Sequence, residues 1–520
     1  MDQPTTHELQ RRRQQAHRGR PPRRAAQPPG MEREIKLEVP PAAWEGLVRE
    51  MSGPDAHRLP LRAIYLDTPQ GQLKAAGIAL RVRREGDQWV QTVKARGASA
   101  FERIEDNVTI GPATGDSAPA ADLRRHRARG LQDALRGALG LRTGERWPAL
   151  LPLFEVRVQR LVRRVVEGGS VVELALDEGE LLAAGRTRTI RELELELVEG
   201  GLRDLLTLAA RWRSRWDLWV SLASKAARGH RLSSGELYGP AAGAQPPRLA
   251  GKPRMGDFTA AVLEACLDQV LGNAGEIGAG SQADDHVHQL RVGLRRLRTA
   301  LRELPTLQAE RERFEPALLE VFRGLGERRD RTHVLRKVQP LVEAAGGRPV
   351  RVPPDFHGGA DPGGLVRGAD FQDALLALLL RAQELRGTDG GPVRRTLRPR
   401  LRKLHGQITG DGARFGKLPE ERQHRVRKRL KRLRYLGEFL APLYPAGAVH
   451  DYLAHLKPAQ EALGTYNDEV MATGLYQELV GSDPGAQFGV EWLQARRAGE
   501  AKACRKALRR LEEAPPFWKG

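Results

Sequence analysis

The feature that most restricts how this chain can fold is a charge alternation that recurs in separate stretches of strand-like sequence. In Glu32-Arg33-Glu34-Ile35-Lys36-Leu37-Glu38-Val39, a period of two puts Glu32, Glu34 and Lys36 on one face, with Ile35, Leu37 and Val39 on the other. The arrangement returns as Arg81 and Arg83, as Thr92 and Lys94, as Arg103 and Glu105, and as Glu155 and Arg157. Finally, Glu192, Glu194 and Glu196 alternate with Leu193, Leu195 and Leu197. A solvated outer face with opposite charges paired across strands is the ordinary fate of such residues, and it stabilises a sheet modestly. That arrangement accounts poorly for two strands of like charge, Glu32/Glu34 and Glu192/Glu194/Glu196. Clustered carboxylates beside clustered Arg and Lys suit hard divalent cations together with phosphates. The charged faces are therefore expected to line a closed tunnel for a polyanion and its metals.

Strands are expected over 32–39, 63–66, 79–84, 89–94, 101–109, 154–163, 171–177 and 190–197, with helices over 123–139 and 202–212. Eight mainly antiparallel strands with few helical crossovers predict a barrel and not a doubly wound sheet. The preceding residues 1–30 carry Arg11, Arg12, Arg13, Arg18, Arg20, Arg23 and Arg24 among prolines and glutamines. Such a segment lacks the apolar side chains to bury a core and reads as a dispensable, disordered basic tail.

Residues 236–255 form a Pro/Gly/Ala linker without periodicity. Beyond it, apolar residues fall at helical spacing over 256–520, and a Gly/Pro-rich break separates two halves, about 256–345 and 366–512. Helices are expected near 257–273, 284–303, 310–325, 370–386, 396–408, 419–440, 449–462, 466–479 and 490–512. The fold class is thus α+β, an N-terminal eight-stranded antiparallel β tunnel barrel (31–235) followed by an all-α duplicated helical-bundle domain.

The duplication is visible in two segments. His288, Arg291, Arg295 and Arg298 form a stripe backed by Leu290, Leu294, Leu297 and Leu301, and His424, Arg427, Lys431 and Arg434 form one backed by Val426, Leu430 and Leu433. Neighbouring Arg296 and Arg432 add to the same basic surface. A Leu-Gly turn expected at Leu325-Gly326 is echoed by one at Leu463-Gly464. Like charges stacked along one helix face repel, so a duplicated stripe points to anion binding. No nucleophile–base set accompanies it, and phosphate contact or structural hydrogen bonding is expected of the histidines.

Lys and Arg number 86 against 65 Asp and Glu, a net charge of +21, which implies a polyanionic partner. Aromatic residues make up only 5%, which disfavours base stacking, and no groove-reading motif is present, so no specific nucleic acid is expected. No apolar run is long enough for a membrane span or a signal core, so no membrane partner is expected. Two cysteines, Cys266 and Cys504, suit a reducing cytoplasm, with polyphosphate granules as a candidate location.

Glu32-x-Glu34-x-Lys36 resembles the signature that opens the CYTH superfamily, the triphosphate tunnel metalloenzymes. Leu80-Arg81-Val82-Arg83, Thr92-Val93-Lys94, Glu173-Leu174-Ala175-Leu176-Asp177, Glu192–Leu197 and Ser224-Lys225-Ala226-Ala227-Arg228-Gly229 follow in that family's order. The resemblance implies hydrolysis of inorganic triphosphate with Mg²⁺ or Mn²⁺. Glu32, Glu34 and Lys36 would be catalytic, with Glu32, Glu34, Glu192, Glu194 and Glu196 holding metal. Lys36, Arg81, Arg83, Lys94, Arg103, Arg157, Lys225 and Arg228 would grip phosphate. Thiamine triphosphate hydrolysis, or cyclisation of ATP, is an alternative use of the same tunnel, and a non-catalytic granule-binding protein is a third reading.

The helical half resembles the CHAD domain, often fused behind CYTH domains. That resemblance implies inorganic polyphosphate binding by the two basic stripes. One departure is Asp330-Arg331-Thr332-His333-Val334, where the family usually continues Arg-Asp-x-Asp-Val.

Overall fold

A computed structural model describes residues 30–97, 102–115, 117–127, 130–352 and 360–519, without the side chains of residues 30, 31, 96, 327–330 and 332–333. The basic segment 1–29 and the side chain of Asp330 lie outside the described residues. The chain divides into two compact units between Pro240 and Ala241.

In the first unit the strands are β1 (Gly30–Glu38), β2 (His57–Asp67), β3 (Ile78–Glu85), β4 (Gln88–Arg96), β5 (Glu102–Pro112), β6 (Leu151–Glu167), β7 (Ser170–Ala183) and β8 (Arg186–Glu199). All eight expected strands are present, most of them longer than their alternating cores. Neighbours run antiparallel in the order β5-β4-β3-β2-β6-β7-β8-β1, and β1 also pairs with β5, closing an eight-stranded barrel. A two-residue β9 (Trp219–Val220) adds to β1.

Helices cover the barrel's outer surface. Among them, α1 (Trp44–Met51) and α2 (Gln72–Ala75) are short, and α3 (Leu131–Leu139) buries Leu131, Leu135 and Leu139 against the Leu80 and Val93 side of β3 and β4. The helix expected over 123–139 is interrupted, because Asp122 caps a single 3-10 turn at Leu123–Arg125 before α3 begins. The buried Leu205, Leu206, Leu208 and Ala209 of α4 (Leu202–Trp216) cover the strands that carry Ile35, Leu37, Leu193 and Leu195. These apolar residues thus take the outward parity of β1 and β8, which turns their charged parity inward.

The interior is not polar throughout. Ala63, Tyr65, Phe154, Val156, Val158, Leu181, Ala183 and Ile190 pack with Leu232 of α5 (Lys225–Ser234) in one apolar cluster. Phe154, Val156 and Val158 share the parity of Arg160, and Ile190 that of Glu192. One part of the inner face is therefore a hydrophobic core, and the charges occupy the rest. Gly229 is required where α5 meets β6, since a Cβ there would come within 2.1 Å of the Phe154 ring.

The second unit is helical: α6 (Met255–Gly278), α7 (Asp284–Glu303), α8 (Gln308–Ala344), α9 (Pro362–Arg367), α10 (Ala369–Leu385), α11 (Val393–Gly412), α12 (Glu420–Leu440), α13 (Ala446–Leu479) and α14 (Ala486–Glu513). Both Leu-Gly pairs fall inside helices and not at turns. The expected helix 310–325 runs on to Ala344, and 449–462 and 466–479 are one helix. A helical Gly costs about 1 kcal/mol against Ala, and burial of Leu325, Leu463 and Tyr466 offsets such a cost. The segment after Pro240 is tied to the bundle through Ala242, whose N–H donates to Asn273 at 3.0 Å.

Candidate anion sites in the barrel and the helical unit

β1 sets the barrel site through its register. Glu34 lies opposite Glu196, Lys36 opposite Glu194 and Glu38 opposite Glu192 on β8, while Glu32 faces Arg103 on β5. Carboxylates so close need cations, and the inner face supplies them. Lys36 Nζ is 2.6 Å from Glu34 and 3.7 Å from Glu194. Lys94 donates to both oxygens of Glu32, at 2.8 and 2.7 Å, reaching past β5. It also lies 3.3 Å from Glu105, which Arg81 approaches at 3.7 Å. Arg83 pairs with Glu85.

From α5 two cations enter the same network. Ser224 caps this helix by accepting from the Ala227 N–H at 3.1 Å, so Lys225 and Arg228, three residues apart, share one face. Lys225 contacts Asp177 at 2.6 Å, Glu194 at 3.0 Å and also Glu192, and Arg228 pairs with Glu192 and with Glu38 at 3.1 Å. Arg160 on β6 completes the set, 2.7 Å from Asp177 and 2.5 Å from Glu194.

The electrostatics follow from this mutual neutralisation. Burial works to raise the Glu194 carboxyl, but Lys225, Arg160, Lys36 and Lys94 hold it well below the usual range. Burial likewise opposes charge on Glu34, and Lys36 and Lys94 outweigh it. Glu32 is the exception. Burial and the neighbouring Glu34, Glu105 and Glu196 push its carboxyl up to about 7 despite Lys94. For Lys94 itself, burial favours the neutral form, but Glu32 and Glu105 raise it above the ordinary lysine value.

The sequence-expected residues Glu32, Glu34, Lys36, Arg81, Arg83, Lys94, Arg103, Glu192, Glu194, Glu196, Lys225 and Arg228 all share the inner parity. Arg157 does not. Its side chain is 56% exposed and bonds Glu155 at 2.7 Å on the outer face, because Phe154, Val156 and Val158 take the inner parity for the apolar cluster. Three residues on, Arg160 carries the inner parity of β6 and reaches Asp177 and Glu194. Asp177 and Arg160 were missed because charge on one strand does not reveal its parity when the interior changes from apolar to polar along that strand.

Oxygens of Asp177, Glu192 and Glu194 lie within 4.8 Å of one another, which makes them a possible cation-binding group. An all-carboxylate set suits a hard divalent ion. Glu192 and Glu194 were expected there, and Asp177 joins them in this group.

On the helical unit the two stripes converge. The Arg291, Arg295 and Arg298 guanidiniums gather over the Phe322 ring of α8, at 5.0, 5.5 and 5.7 Å. Lys431 of α12 meets Arg291 and Arg295, and burial with this crowding, Arg427 included, pushes its ammonium down to about 6. Lys428, outside the expected stripe, is lowered by burial and by Arg298, Arg302 and Arg323. His424 lies beside Asn467, lowered by partial desolvation, Lys428 and Arg427, and His288 is half-buried on the α7 face. Arg434 bonds Glu438 at 2.6 Å and Gln460 at 2.9 Å.

Arg296 is a correction. It is 2% exposed, donating to Gln269 at 2.9 Å and the Gln245 carbonyl at 2.8 Å. One residue after Arg295, it points about 100° around the helix into the bundle. Arg432 likewise turns aside, to Glu303 at 3.0 Å.

Together these features define a closed antiparallel barrel with a mixed-charge interior, joined in sequence to a helical unit with pooled cations. Residues 30–230 match the CYTH domain and residues 261–477 the CHAD domain, and the chain is an N-terminal CYTH domain followed by a C-terminal CHAD domain. An inorganic triphosphatase of Haemophilus influenzae is 29% identical over 175 residues, 33% of this chain and 45% of that protein. The chain thus spans less than half the length of that relative. The solved CHAD domain of Ricinus communis is 25% identical, covering 51% of this chain and 96% of that one at a TM-score of 0.42. A Hippeastrum protein described as having a dominant triphosphatase activity is 26% identical, covering 40% and 97% at a TM-score of 0.30. Among the described residues no helix is long and apolar enough to cross a membrane.

Proposed function

We propose that the barrel hydrolyses inorganic triphosphate with a divalent metal, Mg²⁺ or Mn²⁺, and that the convergent helices bind inorganic polyphosphate. The observation that carries the first part is the closed inner network, in which Lys36, Arg81, Lys94, Arg160, Lys225 and Arg228 are interleaved with carboxylates inside a protein wall. The activity of the Haemophilus relative supports the same substrate.

Phosphoryl transfer asks the protein chiefly for positioning and charge neutralisation. Lys36, Arg81, Lys94, Arg160, Lys225 and Arg228 are each held by carboxylates, so they are pre-oriented before phosphate oxygens arrive and little rotamer freedom remains to be lost. Arg81, Arg83 and Lys94 would grip one part of the chain, with Arg103 beside Glu32. Lys36, Arg160, Lys225 and Arg228 would grip phosphate beside the carboxylates. As the phosphate takes up those cations, Asp177, Glu192 and Glu194, with Glu32, Glu34 and Glu196 nearby, become available to hold metal. A bound divalent ion supplies further neutralisation and lowers the pKa of an attacking water. The closed wall limits bulk water, which strengthens every charge contact inside.

A turnover panel on the full chain tests this reading: tripolyphosphate, thiamine triphosphate and ATP, each with Mg²⁺, Mn²⁺ or excess chelator. Preference for tripolyphosphate, lost with chelator, supports it. Preference for a nucleotide or thiamine ester, or turnover indifferent to chelator, counts against it.

For the helical unit, Lys431 carries the argument, since a half-buried ammonium crowded by Arg427, Arg295 and Arg291 is relieved by a polyanion. Polyphosphate titrated at increasing salt should bind with a steep salt dependence, and a flat response would remove the reading.

A further inference from the structure

We propose that Tyr65 is a substrate-contacting residue of the barrel, its hydroxyl donating to a phosphate oxygen held among Arg81, Lys94 and Lys225. The inference rests on the triphosphatase reading above and adds one neutral donor to the cations assigned there.

Register places Tyr65 at a boundary of the inner face. On β2 it lies between Phe154 of β6 and Arg81 of β3. Its ring belongs to the apolar cluster, stacked on Phe154 with centroids 4.6 Å apart and an interplanar angle of 15°. Phe154 is fixed in turn by α5, where His230 meets it edge-on at 5.1 Å and Gly229 abuts its ring. The same helix carries Lys225 and Arg228. A tyrosine has only two side-chain torsions, and a stacked ring leaves its hydroxyl little freedom. The oxygen is therefore set in place before a ligand arrives.

The surroundings of that oxygen are cationic. Arg81 bonds it, and Lys225 and Lys94 act on it from α5 and β4. Elsewhere in the network carboxylates separate the cations, but apart from burial the largest influences on Tyr65 come from these three alone. Three cations from three elements around one hydroxyl suit an anion placed between them. A guanidinium only donates, so Tyr65 accepts from Arg81. The proton of Tyr65 itself has no acceptor among the described residues. The buried Nε of Arg81 also lacks one. Buried donors left without acceptors are costly, and a phosphate group with several oxygens would accept from both.

The test uses the full chain and Tyr65→Phe, which keeps the ring and removes only the hydroxyl. With Mg²⁺ and tripolyphosphate, KM should rise about tenfold while kcat stays within about threefold, as expected when a contact shared by ground and transition states is lost. Melting temperature should shift by only a few degrees. A second readout needs no turnover. In protein labelled with 3-fluorotyrosine, the ¹⁹F resonance that Tyr65→Phe deletes should move when tripolyphosphate is added with chelator present. An unchanged KM together with an unmoved resonance overturns the proposal. So does a lowered melting temperature that accounts for all lost activity at unchanged KM, since the hydroxyl is then structural. A full chain that turns over no triphosphate removes the triphosphatase reading instead. The resonance then decides alone: a shift sustains the Tyr65 contact, and none overturns it.

Discussion

The two units hold their cations in opposite ways. Inside the barrel every lysine of the site has carboxylates within 4 Å, and Lys94 and Lys225 are raised above the ordinary lysine value, burial being outweighed by Glu32 and Glu105 for one and by Asp177 and Glu194 for the other. On the helical unit Lys431 is pushed down to about 6 by burial and by Arg427, Arg295 and Arg291. The barrel is thus self-neutralised, and a ligand there exchanges one set of ion pairs for another. On the helical surface Arg298 and Arg434 pair with Glu315 and Glu438, whereas Lys431 is crowded by other cations, and a polyanion there relieves repulsion. The first arrangement favours precise geometry, and the second favours affinity without fixed register.

The largest effect expected from breaking this contrast lies in the barrel. Glu34→Ala and Lys36→Ala should each lower kcat/KM for tripolyphosphate by about 100-fold or more, with melting temperature shifted by only a few degrees. Steady-state kinetics with Mg²⁺ check this, and near-normal turnover in both variants would remove the barrel from the chemistry.

Arg296 comes next, because its bonds are structural. Arg296→Ala leaves Gln269 and the Gln245 carbonyl without their buried partner and should cost about 2–3 kcal/mol of stability, read by denaturant unfolding. The salt dependence of polyphosphate binding should stay unchanged. Arg295→Ala should do the reverse, leaving stability nearly intact while reducing the log–log salt slope by about 1.

Lys431 sharpens the comparison through pH. Its folded-state value near 6 lies below the ordinary 10.5, so the unfolded chain holds the extra proton between those values. Its contribution to stability therefore rises with pH across that window and is lost as pH falls through 6. Bound polyphosphate favours the charged form, so at pH 7.5 binding should take up as much as about one proton. Calorimetry in buffers of different ionisation enthalpy measures that uptake, and proton release would contradict it. The smallest effect belongs to Arg157→Ala, which should leave kcat/KM within about twofold.

Much of the barrel was legible because its outer parity is consistently apolar where α3 and α4 cover it. Ile35, Leu37, Leu193 and Leu195 mark the outside of β1 and β8, and the charged parity then follows. On β6 the same rule failed. Phe154, Val156 and Val158 resemble an outward face but fill an apolar part of the interior, so the pattern points Arg157 inward and leaves Arg160 unmarked. The Leu-Gly pairs misled for a related reason, since glycine weakens a helix locally while α8 and α13 are held by burial along their length.

The alternating charges of β1 and β8, and the repeated stripes of α7 and α12, were determined by sequence alone, because periodicity assigns residues to faces within one element. Tertiary structure decided which faces meet. Closure of β1 onto β5 and β8 brought Glu32 to Lys94 and Lys36 to Glu194, and packing brought Lys431 to Arg291 and Arg295. It also turned Arg296 inward and made Asp177 part of the carboxylate group. Charge interactions depend on distances of a few ångströms between residues far apart in the chain. No local pattern encodes those distances until the elements have packed.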